Sequence, residues 1–500
     1  MTKKHLLLRP AAFWFCLLGL TALSCTLSGA PTPASWSLTS TVVAQSQTAE
    51  AINLSIQQTA AAAPTLPPTS TPTPVPPTLT PTPSRLDSGP WALVSAGFGS
   101  ALWLFNPQAD AFNTAALPGR LLPGSLPGSQ PAVGSIMALR TKSDAPLTYT
   151  LSLLSLPGLT LSPVADLLGP RLQKLATQPE TISDTLAALE QPGAVSWSPN
   201  GQKLAFIGAQ DGLSTDLYIY DRRTKEILRL TTGPYEVSAP IWSPDGQWVV
   251  TSEMEQTNGR WQIREVWAFS IYSKEARRLY TPPENSQAEH FLAWLNNNTL
   301  LTCSEGAENL FSLREVRLDR PDARERLAGP FEEVVIDPQS QTLLYVQLSG
   351  SLSGLYLMPP GGGEPRLLAG GWWRSLRWDA EGQVFRARNS TGTIWVELDG
   401  DIFMMEMEDH CEFSPPHNWL ICWGGKKDLQ PGLRLYQVSG TFIQHITKQP
   451  IDAVLWNKDG LSWFFLSEGT LNITRFPALN SQVLSTELQT GDYPALIWVQ

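Results

Sequence analysis

Tryptophan returns through most of this chain at a nearly regular interval. Trp197, Trp242, Trp294, Trp378, Trp456 and Trp498 keep the beat, and Ile336 and Phe413 fill two further slots. Successive slots lie 35 to 52 residues apart, and four of the seven intervals are 42 or 43 residues. A period of roughly 40–45 residues made of short strand-like runs is that of a β-propeller blade. One small four-stranded sheet cannot bury both faces alone, so such units are stable only when stacked on neighbours around a ring.

The clearest unit reads Ala194-Val195-Ser196-Trp197-Ser198-Pro199-Asn200-Gly201, then Leu204-Ala205-Phe206, Leu217-Tyr218-Ile219-Tyr220-Asp221 and Ile227-Leu228-Arg229-Leu230-Thr231. These are four short β-rich runs, with Pro-Asn-Gly as strong turn chemistry between the first two. Ile241-Trp242-Ser243-Pro244-Asp245-Gly246 opens a second unit, which continues through Trp248-Val249-Val250 and Val266-Trp267-Ala268-Phe269. Both units resemble the WD40-like (PD40) repeats of the TolB β-propeller group, whose blades carry a Trp-Ser-Pro-Asp-Gly turn and a Leu-Tyr-x-x-Asp strand. The resemblance extends over Trp91 to Gln500 and fades to strand rhythm away from residues 194–280. It implies an envelope protein that works through interactions with other proteins.

Strand rhythm at the two ends implies how the ring closes. Trp91-Ala92-Leu93-Val94 and Leu102-Trp103-Leu104-Phe105 read as the second and third strands of a blade lacking its first. Ala495-Leu496-Ile497-Trp498-Val499 reads as a first strand with no successor. Pairing them removes the open edge. The expected fold is therefore all-β: a single closed propeller of about eight blades, seven to nine, over residues 88–500. A helical insertion is expected between blades at 171–192, where Leu172, Leu175, Leu186 and Leu189 are spaced for a helix.

The N-terminus reads as an export leader over residues 1–24. Lys3, Lys4 and Arg9 precede an apolar stretch from Ala11 to Ala22, too short to span a bilayer comfortably. Thr21-Ala22-Leu23-Ser24-Cys25 resembles a bacterial lipoprotein cleavage box, which implies lipidation of Cys25, although Ala22 stands where that family usually has leucine. Residues 25–87 are expected to be a disordered tether. Between Thr26 and Ser84 the only charged residue is Glu50. The Thr-Pro tract Pro64–Ser84 favours polyproline II, with a reach of about 65 Å at ~3.1 Å per residue. The expected location is the extracytoplasmic face of a bacterial membrane, held by the lipid alone.

Formal charge is −10 and becomes −13 once Lys3, Lys4 and Arg9 leave with the leader. That balance disfavours nucleic acid and anionic headgroups. Cys303, Cys411 and Cys422 form neither a disulfide framework nor a zinc pattern, and no metal or cofactor motif is legible. Cys411 and Cys422 flank Ser414-Pro415-Pro416-His417-Asn418, a tight turn that can set them face to face as a disulfide or leave them as separate thiols.

Glycine-flanked serine elbows, phosphate-cradling loops and HExxH motifs are absent from the sequence. In propellers the first strand of each blade lines the channel and begins at the mouth. Counting four residues back from each beat gives Ser238, His290, Glu332, Arg374, Asp409 and Asp452, with His410 adjacent. Tyr235, Trp372, Trp373 and Tyr493 stand beside them as apolar or stacking groups. These residues form the candidate ligand-binding mouth, and the repeated tryptophans are expected to pack between blades. The expected function is a monomeric, non-enzymatic scaffold for a protein, peptide or glycan. A propeller peptidase is disfavoured, because the ring-closing strand leaves no room after it for a hydrolase domain. The alternative is an extracytoplasmic enzyme, a lyase or glycosidase, acting on polysaccharide through carboxylates at the mouth.

Overall fold

The computed structural model describes residues 91–499 apart from short gaps, the longest being 96–100, 106–111, 123–135, 176–181, 281–287, 306–310 and 489–494. The leader, Cys25, the tether, Asp409 and Tyr493 lie outside the described residues. His290 has a placed backbone, but its side chain is not described.

Nine antiparallel sheets make the ring, the upper end of the expected range. Blade 1 is completed from both ends of the domain, blade 2 spans 120–166, and blades 3 to 9 follow in order from Val195 to Ser485. Blade 2 has a first strand of only two residues, Arg120–Leu121, which is why the period is faint there. The first strands of neighbouring blades, such as Phe331–Ile336 of blade 6 and Arg374–Asp379 of blade 7, lie side by side around the channel.

Ring closure follows the expected pairing. Ala495–Val499 runs antiparallel to Trp91–Ser95, with Ala92 opposite Trp498, Leu93 opposite Ile497 and Val94 opposite Leu496. The core is correspondingly divided. Nine hydrophobic clusters each straddle one seam between adjacent blades. At the closing seam, Ala92, Val94 and Phe105 of blade 1 meet Phe464, Leu466 and Ile473 of blade 9.

The tryptophan beat marks these seams. Trp197, Trp242, Trp294 and Trp456 are buried, with Ile336 buried in the equivalent slot. Trp242 donates its indole N–H to the Ser196 carbonyl of blade 3 at 2.9 Å. Trp456 reaches the Glu412 carbonyl of blade 8 at 3.3 Å, and Trp498 reaches the Trp456 carbonyl of blade 9. Each of the three therefore fills the seam with its ring and ties its blade to the main chain of the one before.

Turns repeat as well. After the first strand of blade 3, Val195–Trp197, the Ser198 hydroxyl accepts the Lys203 N–H at 3.0 Å, and Gly201 adopts φ +65°. In blade 4 Ser243 accepts from Trp248 at 3.0 Å while Gly246 adopts φ +67°. That left-handed conformation is open to glycine without penalty. Asp221, the aspartate of the Leu-Tyr-x-x-Asp strand, accepts the Arg223 N–H and the Lys203 ammonium, so it closes a turn.

Two short helices, Pro170–Leu175 and Ser183–Leu189, lie between blades 2 and 3. Buried Arg140 of blade 2 donates to the Leu189 and Gln191 carbonyls at 2.6 and 2.9 Å, satisfying groups at the C-terminal end of the second helix. Beside it, Glu190 accepts from Lys142 at 2.7 Å and Tyr149 at 2.6 Å.

Two outcomes follow from this division of the core. Trp242→Ala should cost about 3–5 kcal/mol as a buried large-to-small change. Trp242→Phe keeps most of the ring volume and should cost nearer 1 kcal/mol, the worth of the lost hydrogen bond. Urea titration of both variants measures the split. Deleting residues 495–499 opens the seam between blades 9 and 1 and should lower the melting temperature. Proteolysis should then begin within 91–122, whereas unchanged melting would show that the closing strand contributes nothing.

Candidate active site

The expected mouth residues are distributed over several blades, and the structure gives each a separate environment. Ser238 is occupied within blade 4: its hydroxyl accepts the Ser252 N–H at 2.8 Å, and its carbonyl accepts the Thr251 hydroxyl at 2.7 Å. Tyr235, half-buried, lies under the Arg264 guanidinium at 5.3 Å. Trp373 is a correction to the expected set. It is 3% exposed, belongs to the core between blades 6 and 7, and donates to the Gly370 carbonyl at 3.2 Å. Its neighbour Trp372 is 69% exposed and donates to Glu332 at 2.9 Å. Arg374 is exposed beside them. His410 is exposed and stacked on Trp423 at 5.6 Å, and Asp452 accepts the Glu468 N–H at 3.1 Å.

Cys411 and Cys422 are opposite one another on the first two strands of blade 8 and are bonded as a disulfide, while Cys303 is buried and outside that bond. Among the described residues no cluster of three or more metal-ligating side chains is present.

A different group converges at the mouth end of the seam between blades 3 and 4. In blade 4 the second strand, Trp248–Thr257, and the third, Arg260–Ser270, place Glu253 directly opposite Glu265. Residues paired in this way share one face of the sheet, and like charges so placed repel. The two carboxyls are resolved by different surroundings. Glu265 has a guanidinium partner, Arg278, at 3.2 Å. Among the described residues Glu253 faces no guanidinium, and it is half-buried; burial first, then Glu265, push its carboxyl above the usual range, with Asp216 adding to the rise and the Trp267 indole N–H opposing it.

Asp216 comes from blade 3, at the start of its third strand. It is 1% exposed and accepts Arg229 at 2.6 Å and the Thr231 hydroxyl at 3.0 Å. Burial nonetheless pushes it up to about 6, against the pull of Thr231 and Arg229. The helical insertion packs onto the same seam. Buried Glu236 accepts the Thr185 hydroxyl at 2.8 Å, the Thr215 N–H at 2.7 Å and the Thr215 hydroxyl at 2.6 Å. One carboxyl group thus ties the Ser183–Leu189 helix, blade 3 and blade 4 together, opposite Met254 in the register of blade 4.

Burial and a like-charged neighbour favour the protonated form of Glu253 while a guanidinium lies against Glu265, the kind of asymmetry that paired acid–base work uses. Counting back from the beat missed it, because Glu253 and Glu265 lie on second and third strands and meet only through the hairpin register. The available signal was an acid on each side of Asn258-Gly259, five residues before it and six after.

No known family profile matches this chain. Over 56 residues, 11% of its length, it is 45% identical to the uncharacterized peptidase YuxL of Bacillus subtilis (strain 168), and it spans 8% of that relative's length. A structure of a eukaryotic initiation factor is similar over 82% of this chain and 98% of its own, at 11% identity and a TM-score of 0.50, a likeness of fold alone. Oligogalacturonate lyase from Vibrio parahaemolyticus is similar over 55% of this chain and 86% of its own, at 13% identity and a TM-score of 0.36. The expectation of a non-enzymatic scaffold is corrected by the 56-residue stretch, which is shared with a protein named as a peptidase.

Proposed function

We propose that this chain is an extracytoplasmic propeller enzyme that cleaves a polysaccharide at the mouth of the seam between blades 3 and 4. The observation that carries the reading is the Glu253–Glu265 pair, in which one carboxyl is raised and the other faces a guanidinium. In this reading Glu253 protonates the glycosidic oxygen as the bond to the anomeric carbon breaks. Glu265, with Arg278 against it at 3.2 Å, takes the proton of the attacking water, and solvent restores both groups. Asp216 does not touch the substrate. It raises the affinity of Glu253 for its proton.

A second reading, peptide cleavage, is favoured by the segment that is 45% identical to a peptidase. There the ring would receive a peptide and the chemistry would belong to groups beyond those described.

The repeats are read as PD40 units of TolB type, and the chain as a lipoprotein anchored through Cys25. Lys3, Lys4, Arg9 and the apolar run Ala11–Ala22 support export. The Cys411–Cys422 bond supports it too, since disulfides persist in oxidising compartments.

Reducing-end release from a panel of acidic and neutral polysaccharides tests the enzyme, with a peptide panel beside it. Turnover of a glycan should fall by about 10²–10⁴-fold in Glu253→Gln, the usual worth of general acid catalysis, with melting unchanged. A raised acid works protonated, so activity should decline as pH rises through its pKa. Asp216→Asn removes a neighbouring negative charge, lowers that pKa, and should move the alkaline limb to lower pH. Glycan turnover indifferent to Glu253→Gln and Glu265→Gln would overturn the assignment, and turnover confined to peptides would select the second reading. The anchor is checked by metabolic labelling: radiolabelled palmitate should enter the wild-type chain and be absent from Cys25→Ala.

A further inference from the structure

Blade 7 carries four arginines on the two strands nearest the channel. Arg374 and Arg377 lie on the first strand, Arg374–Asp379, and Arg386 and Arg388 on the second, Val384–Arg388. The register sets Arg374 opposite Arg388 and Arg377 opposite Arg386. Two like-charged pairs face each other across one ladder, an arrangement that works against pairing of the strands. The protein as a whole is acidic, with a net charge of −10, so general surface composition does not account for the concentration.

The exposed members are available to a ligand. Arg374 and Arg377 are exposed, and neither has a hydrogen-bond or ion-pair partner among the described residues. Arg386 is half-buried behind them, its guanidinium 3.4 Å from the Cys411 carbonyl. Burial and the adjacent Arg377 hold it below the usual range, with Glu412 and Asp379 opposing. The nearby carboxylates of blade 6 are engaged: Glu333 accepts the Leu376 N–H at 2.8 Å and Glu332 accepts the Trp372 indole N–H at 2.9 Å.

That last bond supplies the second half of the site. Trp372 is 69% exposed, yet its ring is oriented by Glu332, two residues from Arg374. An exposed indole held by its N–H offers a flat apolar face of the kind on which a sugar ring stacks. Arg374 and Arg377 follow it by two and five residues on the adjoining strand, and a guanidinium matches a carboxylate in bidentate geometry. A nucleic acid would also meet these chemistries, but the net charge of the chain opposes it.

We propose that Trp372, Arg374 and Arg377 form a subsite for an acidic oligosaccharide, in which the indole stacks on a uronate ring and the guanidiniums take its carboxylate. This names the substrate class of the enzyme proposed above and rests on that reading for its purpose. Its ligand binding stands or falls independently. Blade 7 is separated from blades 3 and 4 along the ring, so the subsite would engage a part of the polymer remote from the bond being cleaved.

Calorimetry on the Glu253→Gln protein, with its reaction blocked, tests the subsite with four probes: tri-galacturonate, maltotriose, tetraglutamate and inorganic phosphate. Tri-galacturonate should bind at least tenfold more tightly than the other three and weaken as sodium chloride rises. Arg374→Ala/Arg377→Ala and Trp372→Ala, all at exposed positions, should each reduce that affinity at least tenfold without lowering the melting temperature. Equal binding of maltotriose would overturn the role of the arginines. Equal binding of tetraglutamate or phosphate would overturn the saccharide assignment in favour of a plain anion patch. Undiminished tri-galacturonate binding by the variants, or none by the parent, would overturn the site. If tri-galacturonate binds as expected while Glu253→Gln retains turnover in the activity assay, the catalytic assignment fails and the subsite stands. Lost turnover with no binding gives the reverse.

Discussion

An indole N–H that reaches the main-chain carbonyl of the preceding blade is the contact on which this ring depends. A radial sheet offers its neighbour two wedge-shaped faces, and a large flat side chain fills the wide end well. A purely apolar ring would fill the volume and leave the angle between blades loosely set. Trp242, Trp456 and Trp498 add one directional bond at the edge of the packed ring, so each fixes orientation as well as volume. Because the core is partitioned among the seams, the burial in each seam must hold two blades by itself.

The polar groups discussed here sit where that packing ends. Glu253, Glu265 and Asp216 lie at the mouth end of one seam, above the apolar contacts of Trp242, Val249 and Phe269. Partial burial there raises the cost of ionising Glu253 without removing its access to solvent. Blade 7 shows the opposite sign of the same geometry, with its guanidiniums brought together by strand register. The chain thus carries an acidic pair and a basic quartet on different blades, each created by cross-strand pairing.

Much of the architecture was legible because it depends on residues that repeat. The Trp slot, the Ser-Pro-Asn-Gly turn at Ser198 and the unmatched strands at Trp91 and Trp498 each have one physical reason for being where they are, and each was found there. Blade 2 was harder to count because its first strand is two residues long and contains no tryptophan. The site was legible only in part. Counting back from the beat located Glu332 and Arg374 on exposed strand starts, but Trp373 turned inward where Trp372 did not. Both tryptophans precede the strand Arg374–Asp379, so no strand alternation fixed which of the two would turn inward. Glu253 and Glu265 were missed because opposition across a hairpin depends on register, which a bulge between Glu253 and Met254 shifts by one residue.

The pairing of Ala495–Val499 with Trp91–Ser95 has a kinetic consequence. These partners are separated by roughly four hundred residues, so their contact has the greatest loop-closure cost of any in the sheet system. Every intervening blade must already stand at its correct angle before the two ends come within reach. Small angular errors accumulate around the circle, and a misaligned array would present two sticky strand edges instead of a latch. The final step of assembly is therefore a proofreading event: only a faithfully stacked array can snap shut.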